Sequence, residues 1–223
     1  MNKSIRVLLY LPKNRDGSYL DNAIDIHTWL YRWTWQKEVG GHINPALRCS
    51  HAELWFPDEQ GRYQYETPLM VYAKTNKPIK ACGQCYTSTL RDKVNGVAMR
   101  PASRVLTTPA RWNYFNIELT DSEYESMYNY ALFQASQNIR YGKLTIASFF
   151  LPFRINEKSC DICSEAVNRA LVHGLQVPSH SRLLTALSKI EVPSPLRLAS
   201  NIFAQGYDLY SLETGEVVLW HNE

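Results

Sequence analysis

The chain has 223 residues, 45% hydrophobic and 20% charged, with a formal net charge of +3. That composition suits one globular domain over residues 1–223, and the weak, dispersed charge excludes a dedicated nucleic-acid binder. No apolar run approaches the roughly 18 residues of a membrane span, and "VLLYLP" near the start lacks a signal peptide's length and cleavage site, so a soluble, cytoplasmic protein is expected.

Ile5 to Leu11 reads as a first strand, closed by a Pro-Lys-Asn-Arg-Asp-Gly turn. Residues 20–36 follow as a short helix, then a loop with Gly-Gly and Asn-Pro punctuation. "CSHAELWF", 49–56, alternates as a strand: His51, Glu53 and Trp55 point one way and Ala52, Leu54 and Phe56 the other. "PDEQGR" predicts a hairpin turn, with the return strand running through Tyr63 to Ala73 and placing Gln64 and Glu66 on one face. Residues 74–110, with "CGQC" inside, show only a turn plus a strand and are expected to be an insertion. "WNYFNIEL" is a strand. Thr120 and Glu123 form a capping-box pattern for a helix to about residue 138, with Tyr124, Met127, Tyr128, Ala131 and Leu132 on one stripe. Cys163 to Val172 is the next helix, ended by Gly174. A helix over 180–190, the segment "VPSPLRLASNIF" and a strand pair turned at Thr214-Gly215 complete the chain. Strands and helices are segregated rather than alternating, which predicts an α+β fold.

Five cysteines without a secretion signal argue against a disulfide framework. Four of them form two C-x-x-C pairs, Cys82/Cys85 and Cys160/Cys163, and these admit four readings. A Cys₄ zinc site needs both pairs, but 74 residues separate them. A thioredoxin-like redox pair needs a βαβ setting, which is missing here. Cys163 in the first turn of a helix faces unsatisfied N–H groups and the positive dipole end, which favour a nucleophilic thiolate. The fourth reading is a small buried hydrophobe. Of the six histidines, His51 stands out, because it lies in the clearest strand and opposite Glu66 and Gln64 in the predicted hairpin. That supplies a base and a group to orient it.

"CSHAELWF" resembles the histidine strand of the circularly permuted NlpC-like papain-fold enzymes, and "ICSEAVNRAL" resembles their nucleophile helix, with Ala166 in place of leucine. "YALFQASQNIRYGKL" is similar to the helix and Tyr-Gly segment upstream of the family's cysteine. "VPSPLRLASNIF" is similar to its Thr-Pro-x-x-Leu-Ala-x-Ser element, and "WLYRWTW" to its Trp-Thr segment. Histidine before cysteine is the permuted order, shared with lecithin–retinol acyltransferase relatives and YiiX-type bacterial proteins. The resemblance covers roughly residues 5–205.

The resemblance implies an antiparallel sheet packed against helices, with Cys163 as nucleophile, His51 as base, and Glu66 as third residue with Gln64 as understudy. It implies a cysteine hydrolase or acyltransferase acting on a peptide, isopeptide or acylated substrate, without a cofactor; a virus-encoded enzyme in a host cytoplasm fits equally. Glu53 is expected to start too far along its own strand to orient His51. The stretch 74–110 has no counterpart in the family, and Cys160 is an extra thiol, either resolving or packing. The rival readings are a zinc-stabilised binding module using Cys82, Cys85, Cys160 and Cys163, and an inactive family member.

Overall fold

Lys3–Tyr10 (β1) is apolar on both faces: Ile5, Val7 and Leu9 point one way, Leu8 the other, and all four are buried. A strand of that kind belongs at the centre of a sheet, and β1 lies there. It pairs antiparallel with His51–Pro57 (β2) on one edge and Trp112–Leu119 (β7) on the other. The computed structural model describes residues 3–11, 44–57, 69–71, 78–80, 82–90, 93–143, 145, 160–190 and 194–221.

The main sheet has seven strands in the order β11-β10-β7-β1-β2-β5-β6. Gly83–Thr89 (β5) and Gly96–Pro101 (β6) extend it past β2, and Leu209–Ser211 (β10) and Val217–Leu219 (β11) extend it past β7. Every neighbouring pair in it is antiparallel. Leu69–Val71 (β3) and Pro78–Lys80 (β4) form a separate antiparallel pair. Arg140–Tyr141 (β8) and Cys160–Asp161 (β9) form a short parallel one.

Ala102–Val105 is α1, Asp121–Ser136 α2, Cys163–Gly174 α3, Ser181–Ser188 α4 and Pro195–Phe203 α5. One sheet face, through Val7, Leu9, Leu54, Phe56 and Phe115, packs on Met127 and Ala131 of α2 and on Ala166, Val167 and Ala170 of α3. The other face carries Leu8, Trp55, Cys85 and Trp112 and is covered by Ala102, Leu106 and Leu212. A Cβ on Gly174 would stand 2.5 Å from the Met127 Cβ, so only glycine lets the end of α3 approach α2 this closely. Thr120 and Glu123 make the expected capping box at the start of α2. Glu123 also accepts from the Gln176 N–H and pairs with His180 Nδ1, both at 2.9 Å, which ties α2 to the segment before α4. Among the described residues no helix is long and apolar enough to cross a membrane.

Three expectations change. Among the described residues β2 pairs with β1 and β5, and not with residues 69–71 of the expected return strand, which pair with 78–80 instead. Residues 83–105, read as part of an insertion, supply β5, β6 and α1, so they are integral to the main sheet and its cover. Leu132 is 45% exposed, because the buried stripe of α2 narrows to Met127 and Ala131. The helix expected over 20–36 lies outside the described residues.

Candidate active site

Cys163 is the first residue of α3. Ile162 at the N-cap has no side-chain acceptor, so the first-turn N–H groups must be satisfied otherwise. Glu165 reaches back to the Ile162 N–H at 3.0 Å, and the Ser164 N–H is directed at the Cys163 sulfur. The strand leading in is fixed from the sheet. Ser88 of β5 donates to the Asp161 carbonyl at 2.6 Å, and Gly142 N–H bonds the same carbonyl at 3.0 Å. Burial pushes the Asp161 carboxyl up, and its ion pair with Arg169 at 2.6 Å acts against that.

His51 opens β2, and α3 packs across β2 and β5. The Ser50 N–H bond to the Tyr10 carbonyl at 3.0 Å sets the entry to the strand, and His51 lies in register with Tyr10, itself opposite Trp112. The Trp112 ring stands edge-on to the imidazole, centroids 6.4 Å apart. The His51 side chain hydrogen-bonds Cys163, and the Ala52 N–H adds a second bond to the sulfur. Burial acts to raise the Cys163 thiol. The charge on His51 and the bonds from His51, Ala52 and Ser164 outweigh it and hold the thiol below its ordinary value. Both side chains are buried, Cys163 at 2% exposure and His51 at 5%.

The group that orients the imidazole is Glu53. Its Oε1 lies 3.0 Å from His51 Nε2. Glu53 is fully buried. Arg100, from β6, donates to the same Oε1 from Nη2 at 2.7 Å. The described site is therefore a chain, Cys163–His51–Glu53–Arg100, running from a helix tip across β2 to β6.

Glu66 and Gln64, the expected third residues, lie outside the described residues. Expecting Glu53 to stand too far away rested on backbone spacing along a strand. Two long side chains on one face, two residues apart, close that distance by leaning together. Arg100 gave one sequence signal, a charged residue between apolar neighbours in "GVAMRPA", and it needed a buried counter-charge to be read.

The structure does not bring the four cysteines of the zinc alternative together. Among the described residues no group of three or more His, Cys, Asp or Glu side chains could hold a metal ion. None of the five cysteines is joined in a disulfide. Cys85 packs beneath the sheet with Leu8 and Trp55, and Cys160, partly exposed, begins β9. Compared with known proteins, the chain matches no family model, no curated protein and no solved structure.

Proposed function

We propose that this chain is a cysteine hydrolase or acyltransferase of the circularly permuted NlpC-like, papain-fold type. The observation that carries the reading is the hydrogen bond between the His51 ring and the sulfur of a helix-tip cysteine far along the chain, backed by a buried carboxylate on Nε2 of the same ring. A packing cysteine has no need of an imidazole, and a packing histidine has no need of a buried glutamate held by an arginine.

In the proposed reaction the Cys163 thiolate, paired with the His51 imidazolium, attacks a carbonyl carbon and forms a C–S bond. The Cys163 N–H at the helix tip, with a neighbouring donor, takes the charge on the carbonyl oxygen. The C–X bond breaks as His51 gives its proton to the leaving amine, alcohol or thiol, leaving a thioester. His51 then takes a proton from water, or from an acceptor hydroxyl or amine, which attacks the thioester and releases the acyl group with the thiol restored. Glu53 holds the ring orientation and stabilises the imidazolium, and Arg100 positions Glu53.

The test is iodoacetamide labelling at pH 6 with mass mapping. Cys163 is expected to react first, although Cys160 is the more exposed thiol, and His51→Ala is expected to remove that lead. Faster labelling of Cys160 or Cys85 overturns the assignment.

A further inference from the structure

On the sheet face away from α2 and α3, a cleft of about 180 Å³ opens beside the His51–Glu53 pair. Arg100, Arg104 and Arg111 line it against a single carboxylate, Glu53. Arg100 is committed to Glu53, whereas Arg104 and Arg111 meet no carboxylate among the described residues. Arg111 is nonetheless held in place. Its guanidinium lies over the Tyr10 ring at 4.4 Å and donates to the Leu11 carbonyl at 3.4 Å, while its buried Nε meets no acceptor. Thr108, at the cleft wall, makes no capping bond with its hydroxyl. Two guanidinium groups with no carboxylate partner among the described residues, and a hydroxyl, around one small cleft suit a tetrahedral oxyanion.

Glu53 narrows the choice. Glu53 lines the same cleft, and its buried Oε2 has no hydrogen-bond donor. A fully deprotonated oxyanion such as sulfate would meet a bare carboxylate there. An oxyanion that keeps one hydroxyl, as hydrogen phosphate does, would donate to Oε2 while its other oxygens take the arginines. We propose that this cleft binds a phosphate group carrying a proton, either free phosphate or a phosphate on the substrate. Because Glu53 forms its wall and also holds His51, an occupant adjoins the catalytic chain directly. Binding itself does not depend on the catalytic reading; only assignment of the phosphate to a substrate does.

Titration of the full chain with inorganic phosphate, followed by ³¹P NMR, tests the site. Saturable binding is expected, at least about tenfold weaker in an Arg104→Gln/Arg111→Gln double variant, which loses two sets of charged hydrogen bonds to the anion. Sulfate is expected to compete poorly, and Cys163→Ala to bind phosphate as the parent does, which keeps this result separate from the fate of the catalytic reading. Absence of saturable binding, equal binding by the double variant, or equal competition by sulfate overturns the proposal. A matched pair of acyl thioesters, one of pantetheine and one of phosphopantetheine, separates the sources. Preference for the phosphorylated ester that is lost in the double variant assigns the phosphate to the substrate, and equal turnover with phosphate binding intact assigns it to the free ion.

Discussion

Replacing Glu53 by Gln keeps the shape of the side chain and removes its charge, which isolates what the carboxylate does. His51 Nε2 is 3.0 Å from Glu53 Oε1, and attraction between unit charges about 4 Å apart is about 4 kcal/mol at an effective dielectric of 20. Arg100 sits on the same oxygen at 2.7 Å and repels the imidazolium in parent and variant alike, so its effect cancels in the comparison. The support that the imidazolium loses in Glu53→Gln is therefore up to about 4 kcal/mol, or about three pH units. The sign follows from Cys163, whose thiol is lowered partly by the charge on His51. A less stable imidazolium weakens that effect, so the lower inflection in the pH dependence of iodoacetamide alkylation should rise, by up to about three units, in Glu53→Gln. Turnover should fall in parallel, and by less than in Cys163→Ala. Circular dichroism must show the fold retained, because Arg100 loses a charged partner in a buried setting. An unchanged inflection in a folded variant would refute the claim that Glu53 acts through His51.

Two further expectations concern stability. Burial would raise the Glu123 carboxyl, yet its bonds with Thr120, Gln176 and His180 hold it down at about 2. Its folded value is depressed, so its contribution of about 3 kcal/mol is present above the ordinary carboxyl range and lost as pH falls through about 2. The gap in urea midpoint between the parent and Glu123→Gln should close over that interval, and a gap unchanged at pH 2 would contradict it. Gly174→Ala places a methyl 2.5 Å from Met127 Cβ and should cost about 1–3 kcal/mol in chemical denaturation; an unchanged midpoint would show that α2 and α3 can move apart freely.

The elements legible in the sequence were those whose signals are local. The strand from His51 alternates because its two faces meet two different cores, and Thr120 and Glu123 cap a helix through contacts three residues apart. Cys163 and His51 were legible by type and setting. The remainder depended on which strands are neighbours. Cys82 and Cys85 look like half a metal knuckle, yet Cys85 faces Trp55 across a strand pair and packs there. Glu53 and Arg100 are 47 residues apart, and their pairing exists only because β5 lies between β2 and β6 in the sheet. A hairpin reading after "PDEQGR" was locally sound, but it could not anticipate that β2 already had two neighbours.

The central position of β1 has a consequence for biosynthesis. The first of the described strands to be made borders one partner about 40 residues later and another about 100 residues later. At translation rates of about 5–20 residues per second, its second edge waits about 5–20 s for β7 to be synthesised. Throughout that interval Ile5, Val7, Leu8 and Leu9 form an apolar strand with an open hydrogen-bonding edge, the kind of surface that recruits other nascent chains. Yield in the cell should therefore respond to chaperone supply and growth temperature, and a fragment ending before residue 112 should aggregate as it emerges.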